Sequence, residues 1–188
     1  MRPQLWLVRH GPTEWSETGR HTSRTDVPLT DAGRRAARGL APRLQEQRFE
    51  LVLTSPMTRA RETCELSGLA AHAEVTDDLL EWDYGDYEGL TTAEIRESRP
   101  GWSVFADDCP GGETIGQVSD RADRLIDRVR ATDGPVIAFA HGHVLRVVGA
   151  RWVGLSAAAG AGLVLDAATI SVLGWERETP AIQRWNCR

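Results

Sequence analysis

Three stretches of this sequence run from apolar residues straight into polar ones. Leu5 to Val8 meet Arg9 and His10, ELVLTS at 50–55 closes on Thr54 and Ser55 before Pro56, and PVIAFAH at 135–141 closes on His141. Short apolar runs of this length bounded by Gly or Pro predict buried strands. Between them the apolar spacing turns helical. From Thr30, a plausible N-cap, TDAGRRAARGLAPRLQEQ places Ala37, Leu40 and Leu44 on one face. MTRARETCELSG predicts a helix ending at Gly68, and 114–131 a long one with Ile115, Val118, Ala122, Leu125, Ile126 and Val129 along a buried stripe. Shorter elements are expected as a strand at 73–77, a helix at 91–98 within a loop-rich stretch from 80 to 113, a helix at 143–153, and strands near 162–166, 169–175 and 181–185. Strands alternating with helices imply an α/β sandwich with a mostly parallel sheet. Such sheets bind ligands beyond the carboxyl ends of their strands. The three polar strand ends should therefore converge on one site.

Composition narrows the chemistry. All 22 basic residues are arginine, which excludes a P-loop lysine, a Schiff base and a lysine general base. A net charge of −5 without a basic tail argues against nucleic acid as a partner. Cys64, Cys109 and Cys187 are too few and too scattered for a disulfide framework or a zinc knuckle. No apolar run is long enough for a membrane span, and MRPQLWLVRHG lacks the h-region of a signal peptide, so a cytoplasmic protein is expected. Residues 1–188 show no linker, repeat or low-complexity tract and read as one domain.

His10 is the sharpest candidate for chemistry. A neutral imidazole can attack phosphorus, and Arg9 beside it would hold a phosphate and offset its charge. His141 likewise follows an apolar strand and precedes a glycine, so the two rings could face one another across a pocket. Arg59, in the first turn after Ser55-Pro56, is placed to bind an anion, whereas Arg61 should point elsewhere. His143 reads as a rim or structural residue. A leaving oxygen also needs an acid, and LLEWDYGDYEG at 79–89 offers Glu81, Asp83, Asp86 and Glu88. Glu81 lies between Leu79-Leu80 and Trp82, an apolar setting in which a carboxyl group can carry that proton. Spacing alone does not choose among the four. Trp82, Tyr84, Tyr87 and Trp102 read as core, with a wall for a sugar or aromatic group as the other reading.

With these residues in place the chain resembles the histidine phosphatase superfamily, the phosphoglycerate mutase-like family. LVRHGPTEW resembles its phosphohistidine motif, TSPMTRARET its second-arginine motif, LLEWDYGDYEG its acid motif and FAHGHVLR its second-histidine motif, in family order over about four-fifths of the chain. The wording EWDYGDYEGLT is most similar to small broad-specificity acid phosphatases and sugar-bisphosphatase members. The resemblance implies a three-layer α/β/α sandwich and a phosphomonoesterase that uses neither metal nor cofactor. It implies His10 as the nucleophile, Arg9, Arg59 and His141 as the phosphate pocket, and Glu81 as the acid. Ser16, Thr22 and Gly142 would touch phosphate or substrate. The substrate class implied is a small phosphorylated metabolite. Pro12, Ser16 and Ser23 depart from the family's usual residues, at the pocket entrance. A cofactor-dependent mutase, a protein-phosphohistidine phosphatase and a non-catalytic phosphate-binding scaffold are the competing readings. The first needs more chain, the second typically lacks the acid, and the third would have lost a histidine or arginine. A homodimer through an edge strand is open; nothing in the sequence establishes one.

Overall fold

Alternation along two neighbouring strands sets the layers. β1 (Leu5–Arg9) and β4 (Val136–Ala140) pair in parallel, Leu5 opposite Val136 and Arg9 opposite Ala140. Successive side chains of a strand point to opposite faces. Leu5, Leu7, Val136, Ala138 and Ala140 accordingly join one apolar cluster, and Val8, Ile137 and Phe139 another. Both faces are covered, which is why these runs are apolar without interruption.

The computed structural model describes residues 2–188. β2 (Leu51–Thr54) and β3 (Ala73–Val75) extend the parallel part of the sheet, and β5 (Ile170–Glu176) and β6 (Thr179–Cys187) complete it antiparallel. The order across the sheet is β3-β2-β4-β1-β5-β6. On one face pack α2 (Asp31–Gln45) and α3 (Thr58–Leu66), through Leu40, Leu44 and Cys64. On the other lie α5 (Ile115–Arg130), α6 (Gly142–Trp152) and the segment that carries Leu79, Trp82, Tyr84 and Trp102. This is the expected α/β/α sandwich. Two short helices, α1 (Glu14–Thr18) and α4 (Thr92–Ser98), sit on connections. No helix among the described residues is long and apolar enough to cross a membrane.

Local chemistry explains the ends. Thr30 caps α2 by accepting from the Gly33 N–H, and Thr114 forms a capping box with Gln117 at the start of α5. The α5 stripe Val118, Ala122, Leu125, Ile126 and Val129 is buried as its spacing predicts; full burial of one such aliphatic side chain contributes about 1.5–3 kcal/mol.

One expected strand is not there. Residues 157–162 form a 3-10 turn and 163–166 run irregularly. Their carbonyls are taken by side chains instead of a strand partner: Arg146 donates to Gly160 and Ala161, Trp185 to Val164, and Arg9 to Leu165. The small residues of AAAGAG let the backbone come close enough for this.

Candidate active site

The ladder of the parallel strands runs one residue past each regular strand end. The His10 N–H donates to the Ala140 carbonyl (2.9 Å) and the Ser55 N–H to the Phe139 carbonyl (2.9 Å). His10, Ser55 and His141 are thereby brought to a common edge. The loop after His10 is held by main-chain contact with α2. A Cβ on Gly11 would lie 2.6 Å from the Gly33 carbonyl oxygen, and one on Gly33 would be driven into the Pro12 carbonyl oxygen.

His10 is 5% exposed, and its Nδ1 lies 2.7 Å from the Gly11 carbonyl. A carbonyl only accepts, so the ring proton sits on Nδ1 and Nε2 keeps its lone pair. Burial first, then Arg59 and Arg9, push this imidazole well below its ordinary pKa, which keeps it neutral. The His141 ring stands 5.2 Å from the His10 ring, centroid to centroid. Its Nδ1 accepts from Arg59 Nε (3.1 Å), so its proton is on Nε2, 2.8 Å from Ser55 Oγ. Burial and the Arg59 charge hold His141 neutral as well.

Arg59 is fully buried. Besides His141 it donates to the carbonyls of Thr22, Ser23 and Thr25. Those carbonyls are presented by a loop that Glu88 fixes, its carboxylate accepting from Ser23 N–H (2.9 Å) and Thr25 N–H (3.0 Å). Arg9 is spent differently. Nη1 donates to Leu165, and Nε is buried with no protein partner among the described residues. A buried unpaired guanidinium N–H is costly, so its position marks where an acceptor belongs.

Glu81 takes three backbone N–H groups: Trp82 (3.0 Å) and Val144 (2.8 Å) on Oε1, His143 (3.0 Å) on Oε2. Helix α6 aims its positive end at this carboxylate. The surroundings are thus N–H groups rather than the apolar ones that Leu79, Leu80 and Trp82 suggest. Oε2, with one backbone donor, keeps a lone pair for a proton.

A cavity of about 240 Å³ opens here, with Arg9, His10, Ser16, Thr22, Glu81 and Gly142 in its wall. Six of the eight predicted residues therefore line one pocket, while Arg59 and His141 stand behind His10. Ser16 also closes the capping box of α1, accepting from Thr13 N–H (2.8 Å), and Thr22 Oγ1 donates to the Arg20 carbonyl (3.1 Å). Of the four acids only Glu81 reaches the cavity. Asp83 pairs with Arg24 Nε (3.0 Å), Asp86 is exposed, and Glu88 anchors the loop. His143 is a rim residue, its Nδ1 2.6 Å from the Tyr84 hydroxyl. Tyr84, for which the sequence leaves core and wall both open, is 2% exposed and contributes to the wall. Arg20, His21, Thr92 and Arg146 also line the cavity and were not anticipated. Arg146 had a signal, since four residues after Gly142 puts it on the same face of α6. Among the described residues no three His, Cys, Asp or Glu side chains are grouped to hold a metal ion.

An α/β sheet with two neutral histidines and unspent arginine donors at its strand ends defines an enzyme that handles a phosphoryl group. The comparisons agree. A family model described as "Histidine phosphatase superfamily (branch 1)" matches residues 5–188. The chain belongs to this superfamily and is a phosphatase of it. It is 44% identical to an acid phosphatase of Mycobacterium tuberculosis, over 92% of this chain and 87% of that one. It is 37% identical to the sedoheptulose 1,7-bisphosphatase of Saccharomyces cerevisiae, over 82% of this chain and 69% of that one. A solved structure from Mycobacterium tuberculosis superposes with a TM-score of 0.92 at 40% identity, covering 100% of this chain and 98% of that one. A mycobacterial glucosyl-3-phosphoglycerate phosphatase determined with VO3 gives 0.89 at 26% identity, covering 100% of both chains.

Proposed function

We propose that the protein hydrolyses phosphate monoesters of small metabolites through a phosphohistidine, without a metal ion. The observation that carries this reading is the Nδ1 to Gly11 carbonyl hydrogen bond of His10, which leaves the Nε2 lone pair free beside the unpaired Nε of Arg9. Nε2 attacks phosphorus, the N–P bond forms and the P–O bond to the alcohol breaks. Arg9, and the Gly142 N–H that Glu81 does not take up, offer donors to the phosphoryl oxygens in flight. Arg59 and His141 hold the wall behind His10, and burial, then the Arg59 charge, keeps both rings neutral. Glu81 Oε2 gives its proton to the departing alkoxide. A water then attacks the phosphohistidine, returns a proton to Glu81, and inorganic phosphate leaves with His10 restored. The relatives named for an acid phosphatase and a sugar bisphosphatase support a phosphorylated metabolite as substrate.

The test is to quench turnover of p-nitrophenyl phosphate in alkali and weigh the intact protein. A population heavier by one phosphoryl group in the parent, absent from His10→Ala, is expected. Turnover by His10→Ala at the parental rate would overturn the covalent route.

A further inference from the structure

A cavity of about 350 Å³, larger than the reaction pocket and with no lining residue in common with it, lies on the face of the sheet that α2 covers. Its floor follows from the strand pairing. Trp6 stands opposite Val172 and Val172 opposite Arg184, so the three form one row across β1, β5 and β6. Residues paired in this way share a face. Trp6 and Val172 accordingly belong to the apolar cluster beneath α2. The end of α2 supplies the other side, with Arg43 from its last turn and Glu46 just beyond it.

Arg43 carries the signal. Among the described residues, two side-chain nitrogens are buried without a hydrogen-bond partner, Arg9 Nε and Arg43 Nη1. A buried guanidinium N–H left unpaired is costly, so the second position calls for an acceptor just as the first does. A cation in the last turn offsets the negative end of a helix, yet Arg43 bonds none of the last carbonyls among the described residues. Arg184, which is exposed, is likewise without a hydrogen bond or an ion pair there. Glu46 is the one carboxylate in the wall, and it pairs with neither arginine. Two guanidinium groups thus border one cavity with their N–H edges unspent. A carboxylate is satisfied by a single fork. A phosphate group, with oxygens on several sides, can be shared by two.

We infer that this cavity is a second anion site, separate from the reaction pocket, and that it takes a phosphate group between Arg43 and Arg184. The site stands independently of the reaction proposed above. Helix α2 joins the two places: its Gly33 meets the Pro12 carbonyl in the loop after His10, and its last turn carries Arg43.

The test is to titrate ¹⁵N-labelled protein with inorganic phosphate at constant ionic strength and to follow the Trp6 indole by NMR, its signal identified with Trp6→Phe. The indole N–H is only loosely tied, 3.5 Å from Gln4 Oε1, and is free to report on the cavity. The signal should move saturably with phosphate and not with chloride. Arg43→Gln and Arg184→Gln should each raise the midpoint about tenfold, the scale of one lost charge-assisted hydrogen bond. Phosphate should meanwhile inhibit p-nitrophenyl phosphate hydrolysis equally in parent and variants, since neither arginine lines the reaction pocket. Arg184 is exposed, so its replacement leaves the core intact and decides the matter even if Arg43→Gln does not fold. A Trp6 signal that ignores phosphate, moves as far with chloride, or keeps its midpoint in Arg184→Gln overturns the site. So does a midpoint equal to the inhibition constant in parent and variants alike, which would mean that the signal is relayed from the reaction pocket.

Discussion

At the scale of residues, the site assigns each proton by hydrogen bonding. The Gly11 carbonyl fixes the His10 proton on Nδ1 and Arg59 fixes the His141 proton on Nε2. Replacing His10 by Ala should lower phosphate release by at least about a thousandfold, the usual scale for a lost nucleophile, with the circular dichroism spectrum unchanged. Because burial and two arginines depress the His10 pKa from 6.5, the ring stays neutral below that pH. A profile of kcat on p-nitrophenyl phosphate should therefore carry no ascending limb with a midpoint near 6.5; finding one would mean that His10 titrates like a free imidazole. Glu81→Gln should cost about 10²–10⁴ on a sugar phosphate and much less on p-nitrophenyl phosphate, whose leaving group needs no acid. Equal losses on the two would remove Glu81 as the acid. Much of this was legible in the sequence, since RHG and HGH advertise paired histidines at strand ends. What residue types do not show is how a side chain is spent. Nothing in LLEWDYGDYEG says that Glu88 is used up on Ser23 and Thr25 while Glu81 meets the end of a helix sixty residues away in the chain.

Among elements, the parallel strands and their helices followed from periodicity because burial on both faces leaves a continuous apolar signature. The misplaced strand at 162–166 failed for the converse reason. Leu163, Val164 and Leu165 look like strand residues, but their segment is a connector whose carbonyls serve Arg9, Arg146 and Trp185. Only the three-dimensional arrangement brings those donors within reach. The contact of α2 with the loop after His10 gives a sharp test. In Gly33→Ala the added methyl meets the Pro12 carbonyl oxygen, so α2 must shift and carry the loop with it. An overpacked contact of this kind costs about 1–3 kcal/mol. Thermal unfolding should show that loss, and kcat should fall although no pocket side chain has changed. Gly39→Ala, in the interior of the same helix with open space around it, should show no such loss of stability and should leave kcat unchanged.

For the whole molecule, four of the five histidines are buried or nearly so in neutral form. His21 is pushed down to about 4 by burial, and His10, His141 and His143 are displaced in the same direction. The unfolded chain accepts protons below pH 6.5 that the folded chain refuses until about 4 at His21. Stability from this source is complete above 6.5 and drains away as the pH falls toward 4. The melting temperature should drop by roughly 5–15 °C across that window from His21 alone. His21→Gln should flatten the slope; a melting temperature independent of pH between 6.5 and 4 would contradict the assignment.

The contact of Gly11 and Pro12 with Gly33 also bears on how such an enzyme can change its taste. Main chain meets main chain there, with no side chain to trim or lengthen, so substitution has little room at that one contact. The opposite wall, with Tyr84, Thr92, Arg146 and the irregular stretch through Leu165, is made of side chains and a connector. Variation in what the pocket accepts can accumulate on that wall while the contact of Gly11 with Gly33 stays a fixed point around which new specificities are written.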